Sequence, residues 1–199
     1  MTNQNRSRTL HLTLLAMLSA IIVLMAFTPL GYLKVGLVEI TFLTVPVVIG
    51  AIILGPLDGA ILGAVFGLTS FAQCFGTSAF GAAILGISAV FTFIVCLVPR
   101  ILIGIISGYL SKWLEKKQVE DIINYVFSSL AGALTNTVFF VGLVILLFGQ
   151  TDYIQSFGDS LIKIIGAFIT TNAVIEAIVC TVLGTVIAKA LVFARKKLT

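Results

Sequence analysis

Charge is scarce in this chain. Only 8 acidic and 12 basic residues occur among 199, so charged side chains make up 10% of it, against about 25% in a soluble domain. So few charges cannot cover a water-facing surface, which excludes a soluble globule. Histidine is scarcer still: His11, near the N-terminus, is the single one. That excludes a serine–histidine dyad within the apolar segments, an HExxH zinc site and a histidine pair for haem or iron. An intramembrane hydrolase or electron carrier goes with them, and no enzymatic activity is expected. The three cysteines, Cys74, Cys96 and Cys180, form no CxxC pair and no metal spacing; they read as small buried hydrophobes. No GxxxxGKS/T phosphate loop occurs, so the chain does not itself bind ATP by that route. An arginine ladder for voltage sensing and the internal repeat that marks the inverted halves of many secondary transporters are also missing.

What is abundant is apolar surface. Hydrophobic residues account for 59% of the chain and the mean hydropathy is +1.19. A membrane-spanning helix needs roughly 20 apolar residues. Runs bounded by polar, glycine or proline punctuation predict six helices, at 10–28, 41–55, 58–73, 84–112, 122–148 and 160–193. The second and third meet at the turn signal Gly55-Pro56-Leu57-Asp58-Gly59. The fourth and sixth exceed one bilayer thickness and must tilt, protrude or begin with a separate surface segment. The expected fold is all-α: a single integral membrane domain over 1–199 with six transmembrane helices.

Basic residues set its direction, because cytoplasmic loops are enriched in Lys and Arg. With six spans, Arg6, Arg8, Lys112, Lys116, Lys117, Lys189, Arg195, Lys196 and Lys197 fall on one side. Asp152 and Asp159 then fall on the other. The 41–73 stretch is therefore expected to cross twice, with both termini cytoplasmic. This distribution explains the +4 net charge by the membrane surface and without nucleic acid. The first run extends to Phe27 and leads into Thr28-Pro29-Leu30-Gly31-Tyr32, which is no small-residue cleavage site, so it reads as a span and not as a secretory signal.

Small residues recur at helix-packing intervals: Ala16 and Ala20 on the first span, Gly59, Gly63 and Gly67 on the third, Gly104 and Gly108 on the fourth. Such stripes let backbones approach closely in lipid. They serve either packing within the chain or, most pointedly at Ala16/Ala20, docking of another membrane protein.

The polar residues inside the spans carry the most information. Arg100 lies 12 residues before Lys112, roughly 18 Å along a helix. Glu176 stands midway between Lys163 and Lys189, roughly 20 Å from each. A charge near the bilayer centre costs at least ~2.5–3.5 kcal/mol on insertion scales and faces the bundle interior. Asn172 lies one helical turn from Glu176 on the same face. Asn136, between Thr135 and Thr137, is roughly 22 Å along its helix from Asp121. Two arrangements fit these residues. Arg100 and Glu176 form a buried ion pair, or Arg100, Asn136, Asn172 and Glu176 line a cavity for a polar solute in which Arg100 holds an anion as a fork. Two loops, Pro29–Ile40 and Gln73–Gly81, are placed to close such a cavity. Tyr32, Phe71, Phe75 and Phe80 are candidate aromatic walls, the alternative being an interfacial belt. Lys163 is expected to snorkel to the outer interface, and Trp113 to anchor a solvated 111–121 loop.

These residues, in this order, resemble the substrate-binding S components of energy-coupling factor (ECF) vitamin transporters. The resemblance runs from the first helix to the last. It rests on Ala16-Met17-Leu18-Ser19-Ala20, Val45-Pro46-Val47-Val48-Ile49-Gly50-Ala51, Leu54-Gly55-Pro56-Leu57-Asp58-Gly59-Ala60-Ile61-Leu62-Gly63, Val98-Pro99-Arg100-Ile101-Leu102-Ile103-Gly104, Leu134-Thr135-Asn136-Thr137, and Asn172 with Glu176-Ala177-Ile178. Within the family the pattern looks most like the pantothenate type. The resemblance implies a six-helix protein of a prokaryotic cell membrane that binds one vitamin or precursor near its outer face. It also implies that Ala16 and Ala20 dock onto a transmembrane coupling protein, that two cytoplasmic ATP-binding subunits supply ATP hydrolysis, that loops 29–41 and 73–83 gate the ligand, and that the whole S component topples within the bilayer. No cofactor is implied in this chain. Pantothenate offers a carboxylate for Arg100 and hydroxyls and an amide for Asn136 and Asn172, but Glu176 would repel the carboxylate unless Arg100 screens it. A pyridoxine-like, hydroxymethylpyrimidine or riboflavin ligand is the alternative within the family. Outside it, an autonomous ion-coupled transporter using Arg100 and Glu176 as a relay remains open.

Overall fold

The computed structural model describes residues 3–29, 31–35, 38–158, 165–166 and 171–198. In lipid every backbone polar group must find a partner within the protein, and the apolar runs meet that demand as helices. Helix α1 covers Asn3–Ala26. On it Thr13 and Ser19 donate back to the carbonyls of Thr9 and Leu15, at 2.8 and 2.9 Å, so neither hydroxyl is left bare. The inner face of α1 is the helical series Leu15, Leu18, Ile22, Met25 and Ala26, which joins the main core. The segment expected as an open loop after α1 is instead an antiparallel hairpin, β1 (Tyr32–Val35) and β2 (Val38–Thr41), with Tyr32 opposite Thr41 and Lys34 opposite Glu39. The aliphatic run Leu33, Val35, Val38, Ile40 favours strands, and pairing satisfies backbone groups that a loop would leave open. The fold is therefore helical with one small sheet.

Helix α2 (Thr44–Ile53) is only ten residues long, a rise of about 15 Å against a hydrocarbon core of ~30 Å. It packs against five helices, α1, α3 (Pro56–Gln73), α5 (Ala89–Lys116), α6 (Asp121–Phe148) and α8 (Thr171–Leu198). Every residue from Thr44 to Ala51 is buried as a result. The stretch expected as a second span is thus the central pillar of the bundle. By length and composition, four of the described helices suit a membrane crossing: Arg8–Ala26, Ala89–Lys116, Asp121–Phe148 and Ala173–Phe193. The long fourth run divides at Ser88. That residue closes α4 (Ala79–Ile87) through its N–H to the Ile84 carbonyl, and opens α5 by accepting from the Phe91 N–H at 3.4 Å. A short α7 (Asp152–Gln155) follows α6, capped by Thr151. Lys163, Asp159 and the start of the sixth predicted span lie outside the described residues, as do the side chains of Lys34, Glu39, Asn172, Arg6, Arg195, Lys196 and Lys197.

The third and fifth helices touch backbone to backbone. A Cβ on Gly63 would collide with the Arg100 carbonyl, and one on Gly104 with the Gly59 carbonyl. A Cβ on Gly108 would stand 2.5 Å from Pro56 Cα, and one on Gly67 2.9 Å from the Cys96 carbonyl oxygen. The glycine stripes of both helices thus face each other within the chain. Ala16 and Ala20 are different: both are exposed on the outward side of α1.

Gly63→Ala is therefore expected to cost about 1–3 kcal/mol through forced separation of the two helices. Gly142→Ala, where nothing lies within 4 Å, is expected to be neutral or to gain up to ~1 kcal/mol of helix propensity. Thermal unfolding of both variants in detergent compares them; equal stability would refute the close-contact reading.

Candidate functional site

The interior proline of α5 shapes the site. Pro99 has no N–H, so the Val95 carbonyl loses the donor that a helix would supply from position 99. The next residue fills the gap: Arg100 Nη1 donates to the Val95 carbonyl at 2.9 Å. This turns the guanidinium back along its own helix and into the bundle, where the residue is 7% exposed. Its carbon stands 5.2 Å from the Phe66 ring centre and 4.8 Å from that of Phe140, so two aromatic faces stabilise the charge. Nη2 makes a long contact with Ser70 Oγ at 3.5 Å. Nε is buried without a partner among the described residues.

Glu176 enters from α8 and is anchored by two other helices. Its Oε1 accepts from Thr44 Oγ1 at 3.0 Å and from Asn136 Nδ2 at 2.7 Å. Asn136 Oδ1, like Arg100 Nε, is buried and has no partner among the described residues. No salt bridge joins Arg100 to Glu176; among the described residues the close acid–base contact is His11 Nε2 to Asp58 Oδ2, 3.0 Å, between α1 and α3. The buried ion pair expected as one arrangement is thus not formed.

Both groups face one cavity of about 120 Å³. Arg100 and Cys96 line it from α5, Ser70, Gln73 and Cys74 from α3, Asn136, Thr137 and Phe140 from α6, and Glu176 from α8. Tyr32 and Thr41 add the hairpin, and Ser78, Phe80 and Gly81 the start of α4. Gln73 ties this wall to the end of α1, its side-chain amide donating to the Ala26 carbonyl. Phe80 leans on Phe140 (6.2 Å) and Tyr153 (6.1 Å), so α4 rests on α6 and α7.

Of the residues selected from sequence, Arg100, Asn136, Glu176, Tyr32 and Phe80 meet at this cavity. Phe71 and Phe75 do not line it. Phe71 packs edge-on against Phe75 and Phe93 on another face, at 5.4 and 5.2 Å, and Phe75 is 71% exposed. The Asn172 side chain lies outside the described residues. Thr44, Ser70, Gln73 and Phe140 escaped the sequence reading. A hydroxyl or a ring in an apolar run carries no signal of its own; only Gln73, an amide at the end of a span, stood out, and there as the start of a loop.

The chain matches the family described as "ECF transporter, substrate-specific component" over residues 10–188. It is 33% identical over 168 residues to the pantothenic acid transporter PanT of Lactococcus lactis subsp. cremoris, covering 79% of this chain and 80% of that protein. It is 29% identical to the pantothenate transporter PanT of Leuconostoc mesenteroides subsp. mesenteroides, covering 94% and 95%.

The exchange between Pro99 and Arg100 is open to a double-mutant cycle. Pro99→Ala restores the backbone N–H, which is redundant while Arg100 occupies the Val95 carbonyl and needed once it does not. Pro99→Ala is expected to stabilise an Arg100→Met background by about 1 kcal/mol more than it stabilises the wild type. Thermal unfolding of the four proteins gives the coupling; additive effects would remove the interaction.

Proposed function

This chain belongs to the family of substrate-specific components of ECF transporters, and on that premise we propose that it captures pantothenate in the cavity between Arg100 and Glu176. The observation that carries the reading is the separation of opposite polarities in one cavity: a cation with an unpaired N–H at one side, and an acceptor group held by Thr44 and Asn136 at the other. Pantothenate has the matching order, with a carboxylate at one end, two hydroxyls at the other and an amide between. Its carboxylate takes the Arg100 fork, displacing the long Ser70 contact. The hydroxyls donate to Glu176 and to Asn136 Oδ1. Glu176 then meets hydroxyls and not the carboxylate, which removes the repulsion foreseen from sequence. Phe140, Phe80 and Tyr32 cover the carbon chain between the two ends.

The site opens to the outside of the cell membrane, and both termini are cytoplasmic. What supports this is the sorting of the two ends of the bundle. The His11–Asp58 contact, Lys112 near Gly55, and Asp121 beside Lys189 gather at one end; the hairpin, the 74–78 turn and α7 form the other. The chain needs no cofactor. ATP is consumed by two ATP-binding subunits, reached through a transmembrane coupling protein that docks on the exposed Ala16 and Ala20 of α1.

The analogue of pantothenate in which the carboxylate is reduced to an alcohol separates this reading from its rivals. Wild type is expected to prefer pantothenate by about 10–100-fold, the worth of a charged hydrogen bond, and Arg100→Ala to bind both equally weakly. Equal binding of the two by the wild type, read by calorimetry, would sink the assignment of Arg100. Ala16→Phe with Ala20→Phe is expected to keep pantothenate binding and reduce ATP-driven uptake in reconstituted vesicles to background. Normal uptake by that variant would remove the docking role.

A further inference from the structure

Two thiols in the cavity wall have no part in the binding scheme above. Cys74 Sγ and Cys96 Sγ stand 3.8 Å apart. Both residues are buried, at 3% and 4% exposure, yet both line the cavity, so a small neutral reagent reaches them from inside it. The third cysteine, Cys180, belongs to the main core, where its thiol packs 3.6 Å from the Ser129 carbonyl; it does not line the cavity. We propose that Cys74 and Cys96 are a dithiol modification site, which a hydroperoxide converts into a disulfide that fastens the cavity mouth.

The surroundings favour the bond. A disulfide needs about 2.05 Å between sulfurs, so the pair must close by roughly 1.8 Å. Cys96 is held in the α3–α5 contact, where its carbonyl oxygen would lie 2.9 Å from a Cβ on Gly67. Cys74 is freer to move. It caps the C-terminal end of α3, and two residues later the chain turns at Gly76 with φ +152°. Besides the contact with Cys96, its thiol makes a weak one, 3.4 Å to the Ser70 carbonyl, which is surrendered on closure. In the reaction one thiol sulfur attacks the peroxide: an S–O bond forms, the O–O bond breaks, and the departing hydroxide takes a proton to become water. The second thiol sulfur then attacks the sulfenic sulfur, the S–S bond forms, and a second water leaves. Two thiols and one hydrogen peroxide give one disulfide and two waters.

The bond has a direct mechanical effect. The 74–78 turn leads into α4, and Ser78, Phe80, Gly81 and Ile84 from this segment line the cavity. A cross-link at Cys74 ties the base of that wall to α5, so the ligand enters and leaves through a less mobile mouth.

The test treats the full-length protein in detergent with hydrogen peroxide and maps the cysteines by mass spectrometry, a readout independent of any ligand. The expected product lacks two hydrogen atoms, joins the peptides of Cys74 and Cys96 within one chain, and keeps Cys180 as a free thiol. Cys74→Ser and Cys96→Ser each abolish it. Sulfinic or sulfonic acids without a cross-link, bonds only between chains, or equal reaction at Cys180 would overturn the proposal, and the wild-type map decides even if a variant fails to fold. A second arm, which rests on the pantothenate reading, follows exchange of radiolabelled pantothenate. Oxidised wild type is expected to exchange at least about tenfold more slowly than reduced protein, while peroxide leaves the rate of Cys74→Ser where it was. An intact cross-link with unchanged exchange would overturn the gating. Failure of reduced protein to bind pantothenate would fall on the functional reading alone, because the cysteine map would still stand.

Discussion

A missing backbone hydrogen organises the site. Pro99 strips the Val95 carbonyl of its helical donor, and in a membrane interior no water replaces it. Arg100 supplies the donor from its side chain. The cost of keeping a cation at that depth is offset by this bond and by two aromatic faces, not by a carboxylate. The guanidinium consequently keeps unspent capacity, with Nε unpaired and Nη2 only loosely engaged. A direct bond to Glu176 would have consumed that capacity and joined the two charges into an inert structural pair.

The remainder of the fold serves to hold the acid away from the base. Glu176 is claimed by Thr44 and Asn136, which requires α2, α6 and α8 to converge at one level. The ten-residue α2 makes that possible, because it ends inside the bundle and puts the hydroxyl of Thr44, its first residue, within reach of Glu176. The contact between α3 and α5 does the corresponding work for Arg100. With glycine on both surfaces, the two backbones meet without intervening side chains, and Ser70, Cys74 and Gln73 are drawn into the same cavity. Distortion of either contact would shift one pole of the site relative to the other.

Much of this was visible in the residues alone. The scarcity of charge and the long apolar runs announced a helical membrane protein, because only self-satisfied backbones survive in lipid. Arg100, Glu176 and Asn136 stood out because polar groups in such runs are costly to insert and are kept for a reason. Aromatic residues gave no comparable contrast in so apolar a chain. Phe71 and Phe75 therefore looked as suitable as Phe80, although α3 and the turn after it hold them away from the cavity that α4 offers to Phe80. The hairpin was read as a loop because four-residue strands bring little periodicity, and pairing across a turn is a relation between segments.

The sequence by itself determined the class of the protein, the course of most of its helices though not the break at Ser88, and the identity of the charged poles. Each follows from the local free energy of placing a residue in lipid. Whether those poles join or stand apart was decided only by the tertiary structure. That outcome depends on Thr44 and Asn136 reaching Glu176 before Arg100 does, and on Arg100 finding the Val95 carbonyl. Such competition among partners is settled by distances between helices far apart in the chain, which no local pattern of residues encodes.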